Sequence, residues 1–390
     1  MVSEATFSGS VTRQILIVPD KFKGSLSAME AAGAIARGWA VACPGDTLTL
    51  LPMSDGGDGF GPVMAGALGL ERRQINGVDA AGRSRQAEWW LDVANGQSVV
   101  ETAQSNGLAL LPGGQFHPFE LDTRGVGVLL LAVGLAGATK CLAGIGGSAT
   151  NDGGFGMARE LGWIFRDELG KEIKQWTRLG GLVSIEAPLN RDWPSVTVAS
   201  DVQNPLLGID GATHIYGPQK GMQPEDFTKA DACLDRLAKV AAKALGSDYS
   251  ATPGAGAAGG LGFGLMAFTG AAIESGFEVF AKATDLETKI VEADFVVTAE
   301  GAIDEQTLMG KGTGQVAALC RRFGKPCIGL AGQLAIDQVA IDQGERLFWR
   351  LAAMVPELAS KPEAMTHAAA LLERLAKREG VQVGGADIVN

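Results

Sequence analysis

Histidine is scarce in this sequence, with three among 390 residues. His117, His214 and His367 lie far apart and form no HxH or HExxH spacing, which rejects a zinc centre and leaves them structural or surface roles. Cysteine is little used. Cys43, Cys141, Cys233, Cys320 and Cys327 are odd in number and form no CxxC, so they read as reduced, mostly buried thiols of a cytoplasmic protein. No run of lysine and arginine with interleaved aromatics occurs, and the formal net charge is −11. Nucleic acid and anionic membranes are therefore not expected partners. Long apolar runs are missing too. The longest, residues 126–138, is too short for a bilayer and predicts a buried helix. The opening MVSEATFSGSVTRQ carries Glu4 and no apolar stretch, unlike a secretory signal. A GxSxG elbow is absent, which disfavours an α/β-hydrolase, as are internal repeats, low-complexity linkers and coiled-coil heptads.

What is present points to a folded two-domain protein. The length exceeds the usual limit of one core, and 46% hydrophobic with 20% charged residues allows sizeable cores. The 55 glycines show no G-X-Y period, so they imply tight turns and backbone-lined sites. Residues 15–19 read as a central parallel strand. A helix follows, capped by Ser25 or Ser27, with Glu30 placed for a capping box. A strand at 47–53 leads through a glycine-rich loop into another helix, which is βα grammar. After residue 70 the pattern changes to short strands at 73–78, 84–93 and 98–102, with turns at 79–82 and at Asn95-Gly96. A helix at about 124–137 and strands at 139–144 and 196–200 complete this region. The βα grammar returns near residue 285, with strands at 294–298 and 326–330 around a helix at 313–323. The expected fold is α/β with two domains. Residues 1–70 and 285–390 form a Rossmann-like, doubly wound parallel-sheet domain, and 71–284 an inserted mixed α+β domain.

Several loops at strand ends carry polar or glycine-rich sequence, and ligands bind beyond the carboxyl ends of strands in open α/β sheets. In 19–25, Lys23 can neutralise a phosphate or carboxylate beside free amides, although a capped, solvated turn explains it as well. In 54–59, Asp55 and Asp58 among glycines suit a hydroxylated substrate or a hydrated cation, or only a strand-to-helix turn. Residues 254–259 match GxGxxG, but no strand directly precedes them. Close packing of small residues competes there with a backbone-lined anion site. Glu300 and Asp304 are hard oxygen ligands at a strand end, suited to Mg²⁺ bridging phosphates. Gly310-Lys311-Gly312-Thr313-Gly314 looks like a phosphate cradle without Walker spacing. The loop 144–154, GIGGSATNDGG, sets Ser148, Thr150, Asn151 and Asp152 among glycines that could surround a polyoxygenated anion. Asp201 ends a further strand, where a carboxylate can serve as base or orienting group towards a hydroxyl.

Together these segments resemble the class I glycerate kinase family. The likeness runs along nearly the whole chain through PDKFKGSLSA (19–28), SDGGDG (54–59), TRGVG (123–127), GIGGSATNDGG (144–154), SDVQNPL (200–206), GPQKG (217–221), PGAGAAGG (253–260), EGAIDEQT (300–307) and GK (310–311). Ala299 stands where the family usually has Gly, and Lys21 where Ser is common. The resemblance implies ATP-dependent, Mg²⁺-assisted phosphorylation of D-glycerate, typically to 2-phosphoglycerate, in a cleft between two α/β domains. It implies Asp201 as the catalytic base or orienting carboxylate, and Glu300 and Asp304 as metal-site residues. Lys23 and Lys311 would meet phosphate or carboxylate. Asp55, Gly147, Ser148, Thr150, Asn151 and Asp152 would contact glycerate or phosphate, with Ser25, Gly56, Gly57, Asn204, Gly254 and Gly256 lining the same sites. Two other readings compete. One is an NAD-dependent hydroxyacid dehydrogenase built on 254–259, and the other a sugar-acid-binding protein without catalysis.

Overall fold

The computed structural model describes residues 12–308, 312–335 and 347–384. Thirteen strands run along the described chain: β1 (Gln14–Pro19), β2 (Thr47–Leu50), β3 (Glu71–Val78), β4 (Ser84–Asp92), β5 (Gln97–Glu101), β6 (Lys140–Gly144), β7 (Ile164–Asp167), β8 (Leu182–Glu186), β9 (Ser195–Ala199), β10 (Ala272–Glu274), β11 (Phe295–Ile303), β12 (Cys327–Leu334) and β13 (Arg350–Val355). They belong to two compact units, the first made of Met1–Ser54 and Phe280–Asn390, the second of Asp55–Val279. The breaks fall at 54/55 and 279/280, whereas the sequence suggests 70/71 and 284/285. The helix Phe60–Leu68 accounts for most of the difference, because it packs on β4 and β5. A Cβ at Gly61 would come within 2.1 Å of the Trp90 ring, and the Glu101 carboxylate accepts from the amides of Gly59 (3.1 Å) and Gly61 (3.0 Å).

The first unit is built on a parallel sheet in the order β13-β12-β11-β1-β2. β1 is buried from Ile15 to Pro19, as a strand covered on both faces must be. Ile15 and Ile17 share a core with Ala31, Trp39 and Leu372, from the helices Ala28–Ala42 and Ala368–Gly384. The helices Leu286–Glu292 and Thr313–Arg322 also meet β1, so the sheet is doubly wound. Ser27 closes the expected capping box, its Oγ accepting from Glu30 N while Glu30 returns to Ser27 N.

The second unit carries a six-stranded sheet in the order β10-β9-β6-β5-β4-β3. β3, β4 and β5 are antiparallel, and β5, β6, β9 and β10 run parallel. Gly96, at φ +63°, makes the β4–β5 turn that Asn95-Gly96 predicts. Residues 126–138 fall largely within the helix Arg124–Leu135, whose Val126, Leu129, Leu130 and Val133 are buried. β7 and β8 pair apart from the main sheet. Among the described residues, no helix is long and apolar enough to cross a membrane.

Candidate active site

In the second unit the parallel strands β5, β6, β9 and β10 end side by side, and the polar loops follow from those ends. Thr102 N donates to Gly144 O (2.9 Å), and Ser200 N to Glu274 O (3.0 Å). The loop 54–59 joins them through backbone contact. Gly146 N donates to Gly56 O at 3.0 Å, and a Cβ on Gly56 would sit 2.1 Å from Ala199 O. A Cβ on Gly147, at φ +72°, would sit 2.0 Å from Asp58 Oδ1. Asp201 lies half-buried at the end of β9, with its Oδ1 accepting from Ser275 Oγ (2.6 Å) and Gly276 N (2.9 Å). Gly276 also ties Asp201 to Asp55, because a side chain there would meet Asp55 O at 2.0 Å. Asp55, Gly56, Gly57, Gly146, Gly147 and Asp201 thus belong to one loop cluster.

Beneath that cluster lies a buried polar layer. Thr150, Asn151 and Asp152 are fully buried, so their side chains act inside the protein rather than at its surface. Asp152 accepts from Thr123 N and Oγ1, Gly154 N and Gly156 N. It thereby fastens the start of the helix Phe155–Glu160 to that of the helix Arg124–Leu135. Burial, with Asp122 nearby, pushes its pKa up to about 6, against the pull of those donors. Asn151 Nδ2 donates to Thr213 Oγ1 at 3.2 Å. Nothing in the GPQKG segment marks Lys220 as a site residue. Its ammonium is buried and donates to Ser148 Oγ (3.0 Å) and Thr150 O (2.7 Å). Burial lowers its pKa to about 7, partly offset by Asp152. A lysine set among glycines in sequence gives no sign that it points inward. Asn204 is spent locally too, donating to Asp210 O (2.8 Å) and accepting from Tyr216 OH (2.7 Å).

The GxGxxG match is a packing device. Gly254 and Gly256 are buried, and a Cβ on Gly256 would meet Pro205 O at 2.2 Å. Gly259, at φ +69°, lies so close to the opening loop that a Cβ would be 1.9 Å from Thr150 O. Gly153 N donates to Gly259 O at 3.1 Å. These glycines support the 150–154 and 202–205 backbones.

In the first unit, a cavity of about 380 Å³ opens at the carboxyl ends of β1, β11, β12 and β13. Asp20, Lys23, Ser25 and Glu300 line it, and Lys23 is exposed. Ser25 Oγ donates to Phe22 O at 3.2 Å. Glu300 Oε1 accepts from Thr307 Oγ1 at 2.9 Å and also from Thr313 Oγ1. Burial, with Asp20 and Asp304 adding repulsion, raises its pKa to about 7. Thr307 N donates to Asp304 Oδ1 at 3.2 Å, so one threonine links both acids. Lys311 lies outside the described residues. His117 and His214 pair with Asp226 and Asp231. Among the described residues, no cluster of three or more His, Cys, Asp or Glu is arranged to hold a metal.

A parallel doubly wound sheet with polar loops at its strand ends, and a second sheet bearing a clustered aspartate site, define an α/β enzyme. Residues 15–381 match the glycerate kinase family. Glycerate kinase of Bacillus subtilis (strain 168) is 39% identical over 383 residues, covering 93% of this chain and 96% of the relative. Glycerate 2-kinase of Escherichia coli (strain K12) is 39% identical over 335 residues, covering 85% of this chain and 88% of the relative. The crystal structure of a Salmonella typhimurium LT2 chain, provisionally named glycerate kinase 2, superposes with a TM-score of 0.82 at 34% identity, covering 96% of this chain and 99% of that one. The chain belongs to the glycerate kinase family and is a kinase, with ATP as the phosphate donor that membership implies. The dehydrogenase reading falls with that assignment.

Proposed function

We propose that this chain transfers the γ-phosphoryl group of ATP to D-glycerate, at the 2-hydroxyl. The full-length family match carries the reaction, and the Escherichia coli relative's name supports the position. Asp201 is the base or orienting carboxylate. Ser275 and Gly276 occupy its Oδ1, which fixes the carboxylate plane and leaves Oδ2 for a substrate hydroxyl. Asp55 and the backbone of Gly56, Gly57 and Gly147 hold the hydroxyacid. Lys23 and Ser25 take phosphate or carboxylate in the first unit, and Lys311 keeps the phosphate role its motif implies. Ser148, Thr150, Asn151 and Asp152 act from beneath by holding the loop in shape, and Asn204, Gly254 and Gly256 serve as its supports.

Glu300 and Asp304 fit Mg²⁺. A carboxylate whose charged form is disfavoured by burial and by neighbouring acids gains from a cation beside it. Mg²⁺ keeps several waters and binds through one or two carboxylates plus phosphate oxygens, so two acids at one strand end suffice for it. When bound, the ion neutralises charge on the phosphates. A ³¹P NMR spectrum of the product from D-glycerate and ATP tests the proposal. The 2-phosphate monoester upholds it, the 3-phosphate corrects the position, and unconsumed ATP rejects the activity.

A further inference from the structure

The cavity of the first unit has two unlike sides. One is apolar, where Met365 projects over the nearly covered Phe22 and Met354. A Cβ on Gly24 would lie 3.4 Å from the Met365 methyl, so this methionine covers the 22–26 turn. The other side is charged, with Asp20 and Glu300 among lysines. Lys23 and Lys361 line the cavity, and neither has an ion-pair partner among the described residues. In a chain of net charge −11, Lys21, Lys23 and Lys361 outnumber Asp20 and Glu300 around this cavity, a balance that suits an anion. Gln333 also lines the space. Its backbone is held between β11 and β13, opposite Ala302 and Val355. Its carboxamide has no hydrogen-bond partner among the described residues, although it can donate and accept at once.

A three-carbon hydroxyacid has no face to lay against a methionine wall. A purine nucleotide has a flat apolar base with an edge of donors and acceptors, joined to a polyanion. Methionine sulfur makes favourable contacts with aromatic rings, and a glutamine carboxamide can pair with the donor and acceptor on adenine. The volume also falls in the range of cavities that enclose ligands of that size. We infer that this cavity binds the nucleoside of ATP, with the base against Met365, Gln333 reading its edge, and the phosphates directed to Lys23 and Lys361. The inference rests on the kinase reading above and adds which part of the chain recognises the donor.

Calorimetric titration with ADP, beside steady-state kinetics, tests it on the full chain. Gln333→Leu and Met365→Asp are each expected to weaken ADP about tenfold or more and to raise KM for ATP alike, with KM for glycerate within twofold of wild type. Met365 is 47% exposed, so its replacement keeps the test valid if the Gln333 variant fails to fold. Unchanged ADP affinity in a folded Met365→Asp protein overturns the inference, as does a rise confined to the KM for glycerate. Wild type that makes phosphoglycerate while the variants bind ADP normally refutes the cavity assignment alone. Wild type that makes none, yet binds ADP in a variant-sensitive way, refutes the reaction and upholds the cavity.

Discussion

Replacing Lys220 with Met should make the stability difference from wild type depend on pH. Methionine keeps the unbranched length but loses the donors to Ser148 Oγ and Thr150 O. The folded protein holds the Lys220 pKa at about 7, against 10.5 for the free side chain. At about 1.4 kcal/mol per unit, the charged form is disfavoured by about 5 kcal/mol in the native state. A depressed pKa contributes stability above the unfolded value, and that contribution is lost as pH falls through the folded one. Between about 7 and 10.5 the unfolded chain binds the extra proton, so wild type strengthens as pH rises. From pH 6 to pH 9 this amounts to about 3 kcal/mol, which the variant cannot gain. Against it stands a cost nearly independent of pH. The Thr150 carbonyl loses a buried partner, worth about 1–3 kcal/mol.

The variant should therefore be more stable than wild type at pH 6, by about 2–4 kcal/mol, and should lose about 3 kcal/mol of that advantage by pH 9, where the two come close. Urea unfolding followed by tryptophan fluorescence measures this, because Trp89, Trp90, Trp163, Trp176 and Trp193 all lie in the second unit. Asp152 is common to both proteins, so its own titration largely cancels in the difference. A gap that stays constant from pH 6 to pH 9 would refute the reasoning, since it would mean the lysine keeps its proton at no cost and is solvated rather than buried.

The remaining predictions concern the reaction and the loops. Asp201→Asn keeps the shape but removes the charge, so kcat should fall by about 10² or more with glycerate still bound, and near-normal turnover would remove Asp201 from the mechanism. Asp304→Ala should raise the Mg²⁺ concentration giving half-maximal rate; an unchanged titration would send the metal elsewhere, with Asp55 the next candidate. Gly259→Ala combines a left-handed backbone at φ +69° with a Cβ 1.9 Å from Thr150 O, and should lower stability by more than about 2 kcal/mol. A thermal midpoint equal to wild type would show that the 150–154 backbone yields.

Much of the fold is legible in the sequence, because burial on both faces leaves a plain mark. The run 15–19 is apolar at every position, and β1 is buried from its second residue onward. Short elements are less legible. β10 has three residues and takes its place from pairing with β9, which no local pattern announces. β7 and β8 pair with each other alone, and their alternation is too brief to read. The boundary near residue 54 is hidden for a related reason. The βα grammar of 47–68 continues through it, and residues distant in sequence, Glu101, Trp90 and Gly144, draw the second helix into the other unit.

The candidate site is legible in its loops and illegible in its depth. Glycine spacing marks where backbones must come close, as Gly56 does against Ala199 and Gly276 against Asp55. Composition cannot say which polar side chain of such a loop faces out. In 144–154 the residues that look most like ligand contacts, Thr150, Asn151 and Asp152, point inward. The reason is energetic. A loop this rich in glycine loses more backbone entropy on ordering than any other composition, so it must be fastened by bonds that water cannot replace. Asp152 supplies four acceptor contacts, Lys220 two donor contacts, and Gly259 the close approach that seals them off. Burying an acid and a lysine carries a penalty, visible in pKa values of about 6 and about 7. That penalty is tolerable because the anchor also sets the position of the backbone above it. Gly146 and Gly147 can then stay small and pack against the loop that carries Asp55, in the cluster that also holds Asp201.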